Sequence, residues 1–401
     1  MTIAPDPIRA LVGRYDAAVY DERRRATRIR LVVQGKEPVD VVIEHGAAVI
    51  VEPRGRPDAE LSAHAATWAE LADDAGAAMS AYRRGRLVAR HDLHAGIGFL
   101  AATSGAIGPG RLRFHTIPAN GLRMSVMEAG TGPAVLCLHG LGASKGSFLT
   151  TLLALAGRFR VIAFDLPGSG DSDKPIGAPY DAAYFAGAAV DLLDALHLER
   201  AHLIGNSLGG RVALEVGLRA PDRVERIALL APSLAWRRQR HWAPFMRLLR
   251  PELGLVQIAP RRVVSGVVRT LIPGAEDGWA AAGVDEFLRA YCTPAGRAAF
   301  YAAGRHIFLE EPDGEEGFWT RLAGLEPPAL FVWGKRDRIV PIAFERHVKA
   351  YLPSAEHLEL DCGHVPQIER PKKTHEAVAA FLVAHDAPAA ARGRRAAAGR
   401  R

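Results

Sequence analysis

The spacing of apolar positions changes period several times along the chain, and each change marks an element. Ile8, Leu11, Val12, Tyr15 and Val19 recur at helical spacing, which predicts an amphipathic helix. The period then drops to two. Ile29, Leu31 and Val33 alternate with arginines, Val39, Val41 and Ile43 alternate with Asp40, Val42 and Glu44, and Val49 and Val51 continue the pattern. These runs read as strands with one face toward a core. Residues 57–63 predict another strand, followed by a helix that carries Trp68 and Leu71 on one face. A fifth strand at 86–90 leads into an apolar helix through Ile97 and Leu100.

A glycine and proline cluster at 104–110 breaks the pattern and reads as a linker. Beyond it the apolar runs become continuous, at 134–138, 161–164, 201–204 and 329–333, as buried strands require. About 95 residues of mostly helical composition separate the strand that ends near Pro232 from the one that starts at Ala329. With 401 residues, 49% of them hydrophobic, the chain is long enough for two globular domains. We therefore expect a first domain over 1–104, a linker over 105–110, a second domain over 111–385 and a disordered basic tail over 386–401.

Candidate chemistry sits on the continuous runs. Gly205-Asn206-Ser207-Leu208-Gly209 follows the apolar residues 201–204 and precedes a helix-like stretch at 211–216. A serine between small residues, on a strand–turn–helix, is lifted clear of a sheet by a strained backbone. Asp337 follows the strand at 329–333 within a short turn, and His364 lies in a loop after the short strand near 358–360. A serine hydroxyl is a poor nucleophile until an imidazole takes its proton, and a carboxylate must hold that imidazole in one tautomer. Ser207, Asp337 and His364 are the candidate catalytic residues. The backbone N–H groups of Leu208 and of Leu141, in the loop after strand 134–138, are the expected oxyanion donors. Asp165 and Asp171 read as loop-bracing residues and His139 as a packed structural histidine.

On these motifs, and on residues 161–172, the region from about 111 to 385 resembles the α/β-hydrolase superfamily. The resemblance implies a mostly parallel, doubly wound sheet with a helical cap at about 233–326. It also implies hydrolysis of an apolar carboxylic ester or thioester through an acyl-serine. Serine at the elbow argues against relatives that open carbon–halogen bonds or epoxides, which carry aspartate there. The Gly-Asn-Ser-Leu-Gly-Gly variant is also similar to carbon–carbon bond hydrolases, although Val365 stands where those enzymes usually have an aromatic residue. A third reading is a catalytically silent lipid-binding or scaffold protein. The first hundred residues resemble the sterol carrier protein 2 family, through 57–63, Trp68 and 85–93. His91 stands where that family commonly has glycine. This resemblance implies an α+β module with a curved antiparallel sheet that takes lipid-like ligands.

The net charge of +7 is local. The tail carries five arginines, and residues 233–272 carry eight against Glu252 alone, which leaves the rest mildly acidic. A basic cap bearing Trp236, Trp242, Trp279 and Trp319 suits peripheral contact with an anionic membrane or an acyl-coenzyme A, and equally a solvated helical face. No nucleic-acid module is apparent, and serine acyl transfer needs neither metal nor organic cofactor. Residues 1–7 lack the basic start and apolar run of a secretory signal. Three cysteines without paired spacing point to a reducing, cytoplasmic setting.

Overall fold

The computed structural model describes residues 5–20, 26–74, 77–106, 108, 110–236, 247–248, 250–258, 260–271 and 278–384. The tail, Arg237, Arg238, Arg240 and Trp242 lie outside the described residues, as do the side chains of Arg269 and Trp279.

The N-terminal module opens with helix α1, Asp6–Val12, which buries Ile8, Leu11 and Val12. Five strands follow: β1 Thr27–Val33, β2 Val39–Glu44, β3 Ala47–Val51, β4 Ala59–Ala63 and β5 Leu87–Arg90. They form one sheet in the order β3-β2-β1-β4-β5. In β1 and β4 burial alternates strictly, as the period of two requires. The expectation of an antiparallel sheet needs correction, because β1 and β4 run parallel. After two hairpin reversals β3 points the same way as β1, and residues 52–58 carry the chain back across the sheet to start β4 in that direction. Asp40, read as a polar position of β2, is fully buried. It faces Arg30 in register across β1, at 2.8 Å, and also accepts from Arg28 at 3.1 Å.

Between β4 and β5 lie α2, Ala65–Asp73, and α3, Ala77–Arg83, the latter not foreseen in the sequence. Helix α4, Leu93–Thr103, is buried along nearly its whole length. It has apolar residues on all sides because it is sandwiched between this sheet and the second domain.

The second sheet has eight strands in the order β13-β12-β11-β10-β8-β9-β7-β6. Here β6 is Arg113–Ala119, β7 Leu122–Ala129, β8 Ala134–Leu138, β9 Arg160–Phe164, β10 Ala201–Asn206, β11 Val224–Leu230, β12 Ala329–Gly334 and β13 Glu356–Leu360. Strands β8 to β13 pair in parallel, and β6 and β7 add an antiparallel edge. Every residue of β8, β10 and β12 is buried, which explains their unbroken apolar runs. One face is covered by α6, Ala182–Ala195, and α7, Leu208–Arg219. The other is covered by α5, Leu149–Leu155, and the helix Pro371–Val383. The core of that second face is continuous with the core of the N-terminal module, from Ile29 and Phe99 to Phe148, Val135 and Phe381. The two modules therefore share a hydrophobic core.

Candidate active site

Strand β10 ends at the C-terminal edge of the sheet, where a parallel α/β fold gathers its functional groups. Ser207 follows with φ 54° and ψ −118°, and α7 starts at the next residue. The flanking glycines are required by contact. A Cβ on Gly205 would lie 2.3 Å from the carbonyl oxygen of Gly209, and one on Gly209 would lie 1.9 Å from that of Leu138. No side chain fits at either place, so the turn can be this tight only with glycine.

Asp337 lies three residues beyond β12 and His364 four beyond β13. The structure brings them together: His364 Nδ1 donates to Asp337 Oδ2 at 2.8 Å. The other carboxylate oxygen of Asp337 accepts from the backbone N–H groups of Ile339, at 2.7 Å, and Val340, at 2.9 Å. Held this way, His364 keeps Nε2 free to act as a base. The histidine loop is braced by Glu369, which accepts from the N–H groups of Gly363 at 2.7 Å and Val365 at 3.0 Å. Asn206 ties that loop to the elbow, donating from Nδ2 to the carbonyl of His364 at 3.1 Å and to that of Leu230 at 2.8 Å. Asn206 sat inside the motif, whereas nothing local marked Glu369. The hydroxyl of Ser207 has no hydrogen-bond partner among the described residues. Catalytic hydrogen bonds are often long in ligand-free enzymes and tighten with substrate bound.

Leu208 is the first residue of α7, so its N–H is one of the helix's unpaired donors. Leu141 and Leu208 line one small cavity together. The loop that carries Leu141 continues to Lys145, whose buried ammonium lies 2.6 Å from the buried carboxylate of Asp165. Burial opposes both charges, yet each holds the other ionised: Lys145 is raised above its ordinary value, and Asp165 is held down to about 2. Asp165 also accepts from the N–H of Asp171 at 2.9 Å, while the Asp171 carboxylate pairs with Arg289 of the cap. His139 is fully buried; its Nε2 accepts from Leu166 N–H at 3.0 Å, and its Nδ1 lies 2.8 Å from Gly140 O. Burial lowers its pKa, which keeps it neutral.

Above the edge, the cap supplies Phe287, Tyr291 and Phe300 to the cavity beside Leu141. Trp236 and Trp319, the two cap tryptophans whose side chains are described, serve elsewhere. Trp319 is buried and donates to Ala235 O at 3.1 Å, and Trp236 packs edge-on against Phe344 at 4.9 Å. The cap helix Gly278–Tyr291 is also bonded to the N-terminal module. Asp285 accepts from Arg90 at 2.7 Å and from His91 N–H at 2.9 Å, and Glu286 accepts from Leu93 N–H at 2.8 Å. His91 takes φ 73°, a left-handed backbone favoured by glycine, and the Asp285 bond holds it there. Among the described residues, no helix is long and apolar enough to cross a membrane.

Known proteins are similar to this chain over the second domain. A family model for the alpha/beta hydrolase fold matches residues 133–371. An uncharacterized protein of Mycobacterium tuberculosis is 31% identical over 293 residues, covering 69% of this chain and 82% of that protein. The 2-hydroxymuconate semialdehyde hydrolase of a Pseudomonas species, strain CF600, is 28% identical over 288 residues, covering 68% of this chain and 95% of that enzyme. Among solved structures, a bacterial membrane phospholipase A is similar with a TM-score of 0.53 and 29% identity, over 68% of this chain and 86% of that one. With the family's sheet, elbow and cap all in place, the chain belongs to the alpha/beta hydrolase fold family and is an enzyme of that fold.

Proposed function

We propose that the enzyme hydrolyses an apolar carboxylic ester or thioester through an acyl intermediate on Ser207. The observation that carries this reading is the His364–Asp337 pair, held at the same sheet edge as a serine on a strained elbow. His364 Nε2 takes the hydroxyl proton as Ser207 Oγ attacks the carbonyl carbon. The backbone N–H groups of Leu141 and Leu208 receive the negative charge that develops on the carbonyl oxygen. His364 then protonates the departing alkoxide or thiolate, which leaves the acyl group on Ser207. Water, deprotonated by the same imidazole, attacks that acyl group and frees the acid and the serine. The aromatic cavity under the cap, and the similarity to a phospholipase, favour an apolar ester.

The N-terminal module is, in this proposal, lipid-carrier-like and holds apolar substrate close to the site, raising its local concentration by tethering. The free cysteines suit a cytoplasmic setting. The exposed Arg247, Arg250 and Arg262, among the exposed Leu248, Val256, Ile258 and Val263, support contact with an anionic lipid surface or an acyl-coenzyme A. A second reading, carbon–carbon bond hydrolysis, is favoured by the similarity to the semialdehyde hydrolase.

A panel of p-nitrophenyl esters from acetyl to palmitoyl, with acyl-coenzyme A and a vinylogous diketone, tests these readings on wild type and Ser207→Ala. Ester or thioester turnover that disappears in the variant supports the main proposal. Turnover of the diketone in preference to every ester supports the second. A folded wild-type chain that turns over none of them, and that resists a fluorophosphonate probe, would sink both.

A further inference from the structure

A cavity of about 210 Å³ adjoins the candidate oxyanion loop, and part of its wall lies outside the hydrolase domain. The hydrolase contributes Leu141, Asn206 next to Ser207, and Val365 next to His364; the cap contributes Glu286. Tyr82 of α3 and Leu93, the first residue of α4, both from the N-terminal module, also line it. A tethered carrier has no reason to reach this far into the site. The wall is also fixed in place. Glu286 accepts from Leu93 N–H at 2.8 Å, Asp92 caps α4 by accepting from Ala95 N–H at 2.9 Å, and Arg289 of the cap approaches Asp92 at 3.7 Å. The volume falls below the roughly 300–1,000 Å³ of drug-sized ligand sites, and the lining is mostly apolar. The Tyr82 hydroxyl has no hydrogen-bond partner among the described residues. Burial, with the Glu286 carboxylate nearby, pushes this phenol up to about 12, so it stays a neutral donor at physiological pH.

We propose that Tyr82 and Leu93 are specificity-determining residues of the hydrolase site. They close the far end of the acyl cavity and restrict the acyl group to short or medium length, and the Tyr82 hydroxyl donates a hydrogen bond to an oxygen carried on that group. This rests on the acyl-serine reading above, and it assigns the N-terminal module to the substrate pocket itself.

The test uses the full chain. The kcat/KM of wild type is measured across p-nitrophenyl esters from acetyl to palmitoyl, together with p-nitrophenyl 5-oxohexanoate and its plain hexanoate counterpart. The expected wild-type profile peaks at short to medium length and favours the oxo ester about five- to tenfold, the value of one neutral hydrogen bond. Tyr82→Phe keeps the length profile and loses the oxo preference. Tyr82→Ala and Leu93→Ala shift the optimum to longer chains, and Tyr82→Trp shortens it. Melting curves show which variants are folded, and Tyr82→Phe and Tyr82→Trp retain an aromatic ring should the alanine variants fail. Length profiles that superimpose on wild type in folded variants overturn the wall, and an unchanged oxo preference in Tyr82→Phe overturns the hydrogen bond. Calorimetric binding of the same esters to Ser207→Ala, with and without Tyr82→Trp, separates the two levels of inference. A tryptophan that selectively weakens the longer esters supports the wall even where wild type hydrolyses nothing, and equal binding at every length overturns it.

Discussion

Strands β1 and β10 are both short and central in their sheets, yet they tell very different amounts about their surroundings. Strand β10 runs into Ser207, where flanking glycines, positive φ and a helix start are forced within five residues. Its function is written in contacts so close that few residue types satisfy them. Strand β1 offers only alternation, Ile29, Leu31 and Val33 inward with arginines between. Alternation fixes which face is buried and leaves the neighbouring strand and its direction open. The hydrolase domain is thus specified by local steric necessity at its site. The N-terminal module is specified by pattern, and its role by what it happens to lie against.

That contrast can be attacked at several points. The largest effect is expected at the elbow: Ser207→Ala lowers kcat by about four to six powers of ten with the melting temperature little changed, and Asp337→Asn lowers it by roughly 10⁴. Both are read from ester kinetics, and a Ser207→Ala protein that retains most of its turnover would remove the premise of the comparison. Next comes the junction. Arg289 pairs with Asp171 at 3.0 Å and with Glu286 at 3.0 Å, and Arg289→Ala leaves those carboxylates without it. We expect a loss of about 3–5 kcal/mol in denaturant unfolding and a raised KM, because the cap helix then loses one of its anchors.

Leu61→Ala, in the middle of the N-terminal sheet, is expected to cost about 2–5 kcal/mol. The shared core predicts one cooperative transition in calorimetry. Two separate melting transitions, with only the first one shifted, would show that the modules are independent after all.

A smaller effect is expected with acid. Burial, helped by the positive charge of Lys145, drives His94 at the junction down to about 3, so the folded chain refuses a proton that the unfolded chain accepts below about 6.5. Its contribution to stability is complete above 6.5 and is lost progressively as the pH falls toward 3. Melting temperatures measured between pH 7.5 and 4.5 should decline less steeply in His94→Phe than in wild type. The smallest effect belongs to the exposed Arg262. Arg262→Ala is expected to change stability by less than about 0.5 kcal/mol and to leave ester turnover intact, while weakening association with anionic vesicles in a sedimentation assay.

Much of the candidate site was legible in the sequence. The elbow, the acid after β12 and the histidine after β13 each sit in a short motif, and the fold brings Asp337 to His364 as their order implied. The supports were harder to see. Glu369, Lys145 and Arg289 act through contacts that an ordinary charged residue would also advertise, so nothing local distinguishes them. In the cap, aromatic content alone does not separate packing residues from cavity lining. Trp319 fills the core, and the cavity is lined instead by Phe287, Tyr291 and Phe300, whose spacing reads as plain helix packing. The parallel β1–β4 pair was missed because a run of seven connecting residues can lead to either direction of pairing.

By itself the sequence determined the strand and helix periods and the strained serine turn. These follow from backbone sterics and from the side-chain spacing of each element, which act within a few residues. Only the tertiary structure decided that α4 is buried in a core shared by the two modules, that Asp285 holds His91 across 194 positions of chain, and that Tyr82 and Leu93 stand beside the candidate oxyanion loop. Contacts of that kind depend on where whole elements come to rest. A carboxylate, a tyrosine or a leucine carries no local mark of the distant surface it will meet.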